Sequence, residues 1–221
     1  MLAKLLKPYK KMELTYTSYS SSTDEELDEI ILPSGIQSGD LIVLYCESIN
    51  TSGTPTDSTP SGFIKLNTEV NSIIISSLSF SVRTSLFYKI SSGSDSSTTV
   101  TTLTGDAVNQ SIAAIYRPIK SITSVSTSKF YVNYENGLTS LSESILTSDM
   151  IEPSITMRIT MFTTENTTTL TPTANNFTYI LNAGAEDDYY AGFSNYNTNK
   201  VQNDVSTTGG LGIAVACINV R

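Results

Sequence analysis

The chain has 221 residues, of which 13 are Lys or Arg and 21 are Asp or Glu, and it contains neither His nor Trp. The lack of histidine excludes a Ser-His-Asp or Cys-His catalytic arrangement and a zinc site of the usual Cys/His kind. The formal net charge of −8 disfavours contact with nucleic-acid phosphates and with anionic lipid headgroups, so we expect neither nucleic acid nor membrane as a partner.

The composition predicts a β-rich protein. Ser and Thr make up about 29% of the chain, whereas charged residues make up 15%, well below the roughly 25% of an average soluble domain. Thr favours strands and Ser favours turns, while the helix formers Ala, Glu, Lys and Gln are scarce. Apolar runs such as "LIVLY" and "IAAIY" argue against disorder. Cys46 and Cys217 lie in two such runs, which predicts buried thiols rather than a disulfide.

The N-terminal residues 1–12 differ in charge from the sandwich domain expected over residues 13–221. They contain four lysines and no acid, whereas the other residues carry 9 cations against 21 acids, a net charge of about −12. The lysines are Lys4, Lys7, Lys10 and Lys11. Such a basic arm can bind an acidic neighbour or a second copy of the chain, and the alternative is a frayed, solvated terminus. Lysines also interrupt the apolar run that a secretory signal needs, so we expect synthesis in a reducing cytoplasm.

Short apolar runs separated by turn residues follow the arm. "ELTYTSYS" alternates like a half-buried strand, and "SSTDEELDEI" predicts a short helix with Ser22 or Thr23 as the N-cap of an acidic first turn. Turns are predicted at 60–62 and 92–94. Short strands joined by turns favour an antiparallel β-sandwich or jelly roll over βαβ units. Further strands are predicted near 40–47, 63–67, 72–80, 83–91, 98–104, 110–117, 119–126, 129–134, 154–163, 177–181, 188–194 and 210–219.

The order of these motifs repeats along the chain. "GDLIVLY", "PSGFIKLN", "SLFYKI" and "QSIAAIYRPI" are followed by "PSITMRITMF", "TANNFTYILN", "DYYAGFSNY" and "LGIAVACINV". Aligning Leu41 with Ile155 also aligns Phe63 with Phe177, and both pairs are 114 residues apart. The pattern predicts two similar halves, and the alternative is chance, since apolar strands with Ser/Thr turns are alike in composition. The two halves would cover residues 30–119 and 145–221.

Carboxylates are the only side chains in the chain that could do acid–base work at neutral pH. They form two clusters, at residues 24–29 and 186–188. A glycosidase would need two carboxylates facing each other across a cleft, and calcium binding at the second cluster would lack the spacing of an EF-hand. We interpret the clusters as a solvated helix face and a polar loop, so the sequence predicts no catalytic, cofactor or metal site.

Tyrosine is the most frequent aromatic residue, with 12 copies, and several lie close together among Asn and Ser. Rigid amphipathic rings combined with small hydrogen-bonding side chains are typical of adaptable binding loops. This makes a candidate ligand loop of Tyr189, Tyr190, Tyr196 and Asn197. The alternative is a set of tyrosines on a sandwich strand whose hydroxyl groups reach solvent.

Four segments, "LPSGIQSGDLIVLYCES", "TPSGFIKL", "TSLFYKISSGSDSSTTVTTLTG" and "SIAAIYRPI", together resemble a β-sandwich domain common in virion proteins of tailed bacteriophages. The resemblance covers residues 30–119 well, and it departs from the family at Phe63, where many relatives carry Trp. It implies a non-enzymatic virion part, made in the host cytoplasm, that decorates or is attached to the capsid or tail as a homo-oligomer bound to other virion proteins. The alternative is a tail-fibre adhesin that binds a host glycan or receptor through loops near 50–60 or 186–199.

Overall fold

The computed structural model describes residues 12–24, 29–56, 58–75, 78–102, 108–134, 140–145, 154–161, 177–183, 188–194, 203–208 and 212–221. Within these segments every regular element is a strand, which confirms the predicted all-β class. The strands are β1 (Leu14–Asp24), β2 (Glu29–Ile31), β3 (Leu41–Asn50), β4 (Ile64–Ile75), β5 (Leu78–Ile90), β6 (Thr99–Thr101), β7 (Val108–Pro118), β8 (Val125–Tyr134), β9 (Ser140–Ile145), β10 (Ser154–Met161), β11 (Phe177–Ala183), β12 (Asp188–Ser194), β13 (Asn203–Thr208) and β14 (Gly212–Val220). No helix long and apolar enough to span a membrane occurs among the residues described.

Two five-stranded sheets form the body of the fold. The first has the order β1-β7-β3-β5-β4 and the second has the order β11-β12-β10-β14-β8, and all strand pairs are antiparallel. Two small sheets, β2-β6 and β9-β13, complete the described strands. Strands β1–β7 and strands β8–β14 have the same arrangement. If β1 is matched to β8, β2 to β9 and so on, the strand order in the large and the small sheets is identical.

The hydrogen-bond registers of the two large sheets correspond as well. One row across the first sheet consists of Tyr19, Ala114, Val43, Tyr88 and Ile64. The matching row of the second sheet consists of Phe130, Ala216, Met157, Phe193 and Thr178. The β3 and β4 members of the first row precede their counterparts by 114 residues, the separation found in the sequence. Strands β1 and β8 also each contain a bulge, at Thr17 and at Ser128. Each bulge lies two residues before the strand's member of the row, Tyr19 in β1 and Phe130 in β8. The register agrees with the interpretation as two similar halves, and the internal repeat itself stays a prediction.

The large sheets pack face to face and share the main hydrophobic core. Its buried members are Met12, Leu14, Leu41, Val43, Tyr45, Ile49, Ile73, Val82, Leu86, Ile112, Ala114, Tyr116, Val132, Tyr134, Ile155, Ala214, Ala216, Ile218 and Val220. A second core lies on the outer face of the first large sheet, where the segment around β2 covers it. That core consists of Ile30, Leu32, Ile36, Ile42, Leu44, Cys46, Phe63, Phe87, Ala113 and Ile115. Strand β3 is thus buried on both faces, which explains why its sequence is a continuous apolar run rather than an alternating one.

The short helix predicted from "SSTDEELDEI" is wrong wherever the residues are described. Residues 22–24 continue β1 and pair with residues 109–111 of β7, and Glu29–Ile31 form β2. Residues 25–28 lie outside the described residues. Ser and Thr tolerate an extended backbone, and pairing with β7 satisfies more backbone groups than an isolated acidic turn would.

Most predicted strands coincide with described strands to within a few residues, but the prediction of one strand at 72–80 is wrong, because β4 ends at Ile75 and β5 begins at Leu78. The prediction at 119–126 is wrong, because residues 119–124 connect the two large sheets and β8 begins only at Val125. The turns at 60–62 and 92–94 are confirmed, with positive φ at Gly62 and Gly93. The sequence did not predict β9 and β13, which are polar and rich in Ser and Thr.

Candidate functional site

Six of the eight residues predicted to bind partners or ligands lie outside the described residues, namely Lys4, Lys7, Lys10, Lys11, Tyr196 and Asn197. The other two, Tyr189 and Tyr190, lie within β12, which pairs with β10 on one side and β11 on the other. They are therefore strand residues rather than loop residues, and their role in ligand binding stays a prediction. Met12 is buried in the main core, so a deletion of the arm that spares the core ends at Lys11.

The described residues give no support for a metal site at the predicted acidic clusters. Asp24 lies in β1, Glu29 in β2 and Asp188 at the start of β12, while residues 186 and 187 are not among those described. Nowhere in the described part of the chain do three Asp, Glu or Cys side chains come together to hold a metal ion. The two thiols, at Cys46 and Cys217, are buried and form no disulfide, as predicted.

An exposed apolar surface lies on the hairpin of β4 and β5. Val70 and Ile74 are 47% and 57% exposed, and we call these two residues the hairpin patch, whereas Leu78, which is 64% exposed, pairs with Ile75 and so lies on the opposite face. Val70 and Ile74 are four residues apart on one strand and therefore lie on the same face. The chain carries no charged residue from Val70 to Val82. Strand β4 is the last strand in the order of its sheet, so the patch lies at the border of the sandwich.

A buried carboxyl group lies between the two large sheets, at Glu47 of β3, which is 2% exposed. Tyr45 Oη donates a hydrogen bond to Glu47 Oε2 over 2.8 Å, and Tyr134 Oη of β8 donates to the same oxygen. Tyr134 Oη also lies 3.1 Å from Thr84 Oγ1 of β5. Because the proton of Tyr134 goes to the carboxyl group, Thr84 is the donor in that second bond. The network therefore connects three strands of the sandwich across both sheets.

The other oxygen of this carboxyl group, Oε1, has no hydrogen-bond partner among the described residues, and the same holds for Oε1 of Gln110, the residue opposite Glu47 on β7. Burial raises the pKa of Glu47 to about 7, although the hydrogen bonds from Tyr134 and Tyr45 act in the opposite direction. Glu69 of β4 occupies the same row, opposite Thr84, and burial raises its pKa too. The sequence signal of this site is a single acid in the otherwise mainly apolar strand "LIVLYCESI", and the site was not predicted.

Two further buried carboxylates lie next to strand ends, Asp40 directly before β3 and Asp95 shortly after β5. Asp40 accepts hydrogen bonds from Arg117 Nε over 3.0 Å, from Arg117 Nη2 over 2.9 Å and from the backbone N–H of Gln37 over 2.8 Å. Asp95 accepts from Lys89 Nζ over 2.6 Å and from Ser91 Oγ over 2.8 Å. Burial would raise the pKa of Asp95, but these hydrogen bonds lower it overall. Both carboxylates are fully engaged in local structure, and we assign them no ligand.

A shallow groove of about 290 Å³ lies beside the connection between the two large sheets. It is lined by Ser38, Gly39, Ile90 and residues 118–122. Ligand pockets usually measure about 300 to 1,000 Å³, so the groove lies at the lower limit of that range. No buried polar group without a partner faces it, and we assign it no ligand.

Comparison with known proteins gives no relative. The chain matches no protein family model, no curated protein and no solved structure. Function is therefore inferred from the geometry of the described residues and from the sequence motifs.

Proposed function

We propose that the chain is a non-enzymatic structural protein of a tailed-phage virion, which decorates or is attached to the capsid or tail through protein–protein contacts. The observation that carries the proposal is the hairpin patch. Exposed apolar side chains on one face of the outermost strand favour protein contact, because covering them removes apolar area from water at about 25 cal/mol per Å². A sandwich that is otherwise rich in Ser and Thr fits a particle component made in the host cytoplasm.

We assign the hairpin patch to contacts between copies of this chain in a homo-oligomer. The patch and the segment after it are uncharged, so two copies can meet there although each carries a net charge of −8. Repulsion between the remaining charges is screened over about 8 Å at physiological ionic strength. The same two apolar side chains, Val70 and Ile74, on one face of both partners suit a self-complementary contact about a two-fold axis.

The basic arm supplies the second kind of contact. Its four lysines have a sign opposite to that of the acidic body, so the arm would bind an acidic surface of a capsid or tail subunit. The strand that follows the arm, β1, is the first strand in the order of its sheet, which favours addition of backbone to backbone at that border. The arm would therefore attach the body to the particle, and the hairpin patch would join neighbouring bodies.

Substitution of the hairpin patch tests the proposal. When the chain is produced during infection and particles are purified on a density gradient, the wild type should be recovered with the particles. The double variant Val70→Lys/Ile74→Lys should be recovered at least about tenfold less, since burying two lysines in an apolar contact costs more than the 1.4 kcal/mol that a tenfold loss requires.

Ile31→Lys is the matched control, because Ile31 is 64% exposed on β2 and lies outside the hairpin patch. This variant should be recovered like the wild type. Absence of the folded wild-type chain from purified particles would contradict the proposed function. Equal recovery of the wild type and the double variant would contradict the role of the patch.

The alternative function is a tail-fibre adhesin that binds a host glycan or receptor. The observation that favours it is the loop after β3, where residues 51–54 are all exposed. Arg83 Nε donates to the carbonyl oxygen of Pro55 over 2.8 Å and thereby fixes the loop to β5. A loop held by a rigid scaffold is a common site of ligand binding. An adhesin would bind host cells in the absence of other virion proteins.

A further inference from the structure

The strands around Glu47 bring together two buried acceptor oxygens that have no donor. Glu47 Oε2 accepts from two tyrosines, but Glu47 Oε1 and Gln110 Oε1 have no hydrogen-bond partner within the described part of the chain. The two residues are directly opposite on β3 and β7. Opposed residues of antiparallel neighbours have Cβ atoms about 5 Å apart, within reach of a side-chain hydrogen bond. Two acceptors cannot satisfy each other unless one of them carries a proton.

We propose that Glu47 is held in the fold as a neutral carboxylic acid whose Oε1 hydroxyl group donates a hydrogen bond to Oε1 of Gln110, and that loss of this proton weakens the contact between the two large sheets. A single proton gives both oxygens a partner. Oε2 stays an acceptor for both phenol groups, one of which comes from β8 of the facing sheet. Ionisation would place a negative charge opposite the buried amide of Gln110.

Among the described residues we find no group near Glu47 that would compensate a negative charge. Its hydrogen-bond partners are neutral phenols, and neither ion pair of the described residues includes it. The described residues of β14 that face the first sheet are apolar, and Glu69 on β4 is a second acid in the same row. The nearest cation on β5, Arg83, is adjacent to Thr84 and so lies on the opposite face, where it bonds to Pro55.

The raised pKa of Glu47 agrees with this geometry. An acid with a pKa of about 7 in the fold and 4.5 in the unfolded chain binds more protons when folded between these two values. Its contribution to stability is therefore complete below pH 4.5 and is lost as the pH rises through about 7. The difference between the two pKa values corresponds to a rise of about 300-fold in the unfolding equilibrium constant across this window.

The variant Glu47→Gln tests the proposal, because its amide has the shape of the neutral acid and carries a permanent donor toward Gln110. Urea unfolding of the full chain should be followed between pH 4 and 8.5 by tyrosine fluorescence. The wild type should lose stability relative to Glu47→Gln as the pH rises, by up to about 300-fold in the unfolding equilibrium constant. Glu69→Gln is the matched control, and it should keep most of the pH dependence of the wild type.

Parallel pH profiles of the wild type and Glu47→Gln would overturn the proposal. Infrared spectroscopy supplies a test that does not require the variant to fold. At pH 6 the folded wild type should show the carbonyl stretch of a protonated carboxylic acid, which should be lost on unfolding. If that band is missing, and sodium or calcium chloride stabilises the wild type specifically, the two oxygens bind a cation instead and the proposal is wrong.

Discussion

Replacement of Phe87 by alanine should lower the free energy of unfolding by about 4 kcal/mol, the middle of the range for removing a buried aromatic ring. Phe87 lies on β5 and is fully buried in the second core, between the first large sheet and the segment around β2. The loss combines the apolar area of the ring with the cavity that remains. Because the chain has 221 residues, the melting temperature should fall by about 10 °C. Urea unfolding followed by far-ultraviolet circular dichroism measures the loss of unfolding free energy.

Phe87→Leu is the matched control, since leucine keeps much of the volume and all of the apolar character. We expect it to cost about 1.5 kcal/mol or less. A loss of less than 1 kcal/mol for Phe87→Ala would show that the segment around β2 does not cover the first large sheet in solution. Equal losses for both variants would indicate that the shape of the ring, rather than the cavity, determines the cost.

Replacement of Asp40 by alanine should cost about 2 kcal/mol of unfolding free energy. Asp40 is 1% exposed and faces Arg117 at opposed positions just beyond the paired residues of β3 and β7. It accepts two hydrogen bonds from Arg117 and one from the backbone of Gln37, so three donors would lose their acceptor. The cost stays below the 3–5 kcal/mol of a fully buried ion pair, because the side chain of Arg117 is 39% exposed and would be hydrated.

Arg117→Lys separates the geometry of this pair from its charge. Lysine keeps the positive charge but cannot form two parallel hydrogen bonds, so this variant should lose less stability than Asp40→Ala yet remain below the wild type. Thermal unfolding at neutral pH gives the order of stability of the wild type, Arg117→Lys and Asp40→Ala. If Asp40→Ala is as stable as the wild type, the carboxylate does not stabilise the pairing of β3 with β7.

The sequence predicts the fold best where one local pattern determines the outcome. The apolar run "LIVLY" predicts a strand near 40–47, and β3 forms there, with residues buried in both cores. The glycine turns before β4 and after β5 follow from residues that tolerate positive φ. Related motifs are 114 residues apart in the sequence. Residues of β3 and β4 at matching positions of the two large sheets show the same separation from their counterparts, because the two sheets have the same strand order.

The sequence fails where partners distant along the chain decide the structure. Residues 22–24 have the pattern of a helix start, but they pair with residues 109–111 of β7. Strands β9 and β13 are polar, so only their pairing with each other makes them strands. Glu47 becomes unusual through Tyr134, which lies 87 residues later. None of these contacts leaves a local pattern in the residues concerned.

The basic arm and the tyrosine loop show a different limit. Both were predicted from composition within a short window, and six of their eight residues lie outside the described part of the chain. The hairpin patch was not predicted, since "SIIISSLSF" has the composition of a buried strand. Exposure of Ile74 depends on its position at the border of the sheet, which local composition does not encode.

Co-sedimentation of the purified chain with tailed-phage particles that lack it, and separately with host cells, tests the proposed function most directly. The wild type should sediment with particles and not with cells. A deletion of residues 1–11 should keep the fold, because Met12 remains in the core, and should lower binding to particles at least about tenfold. Binding of the wild type to cells but not to particles would contradict a role as a structural subunit and would identify the chain as an adhesin.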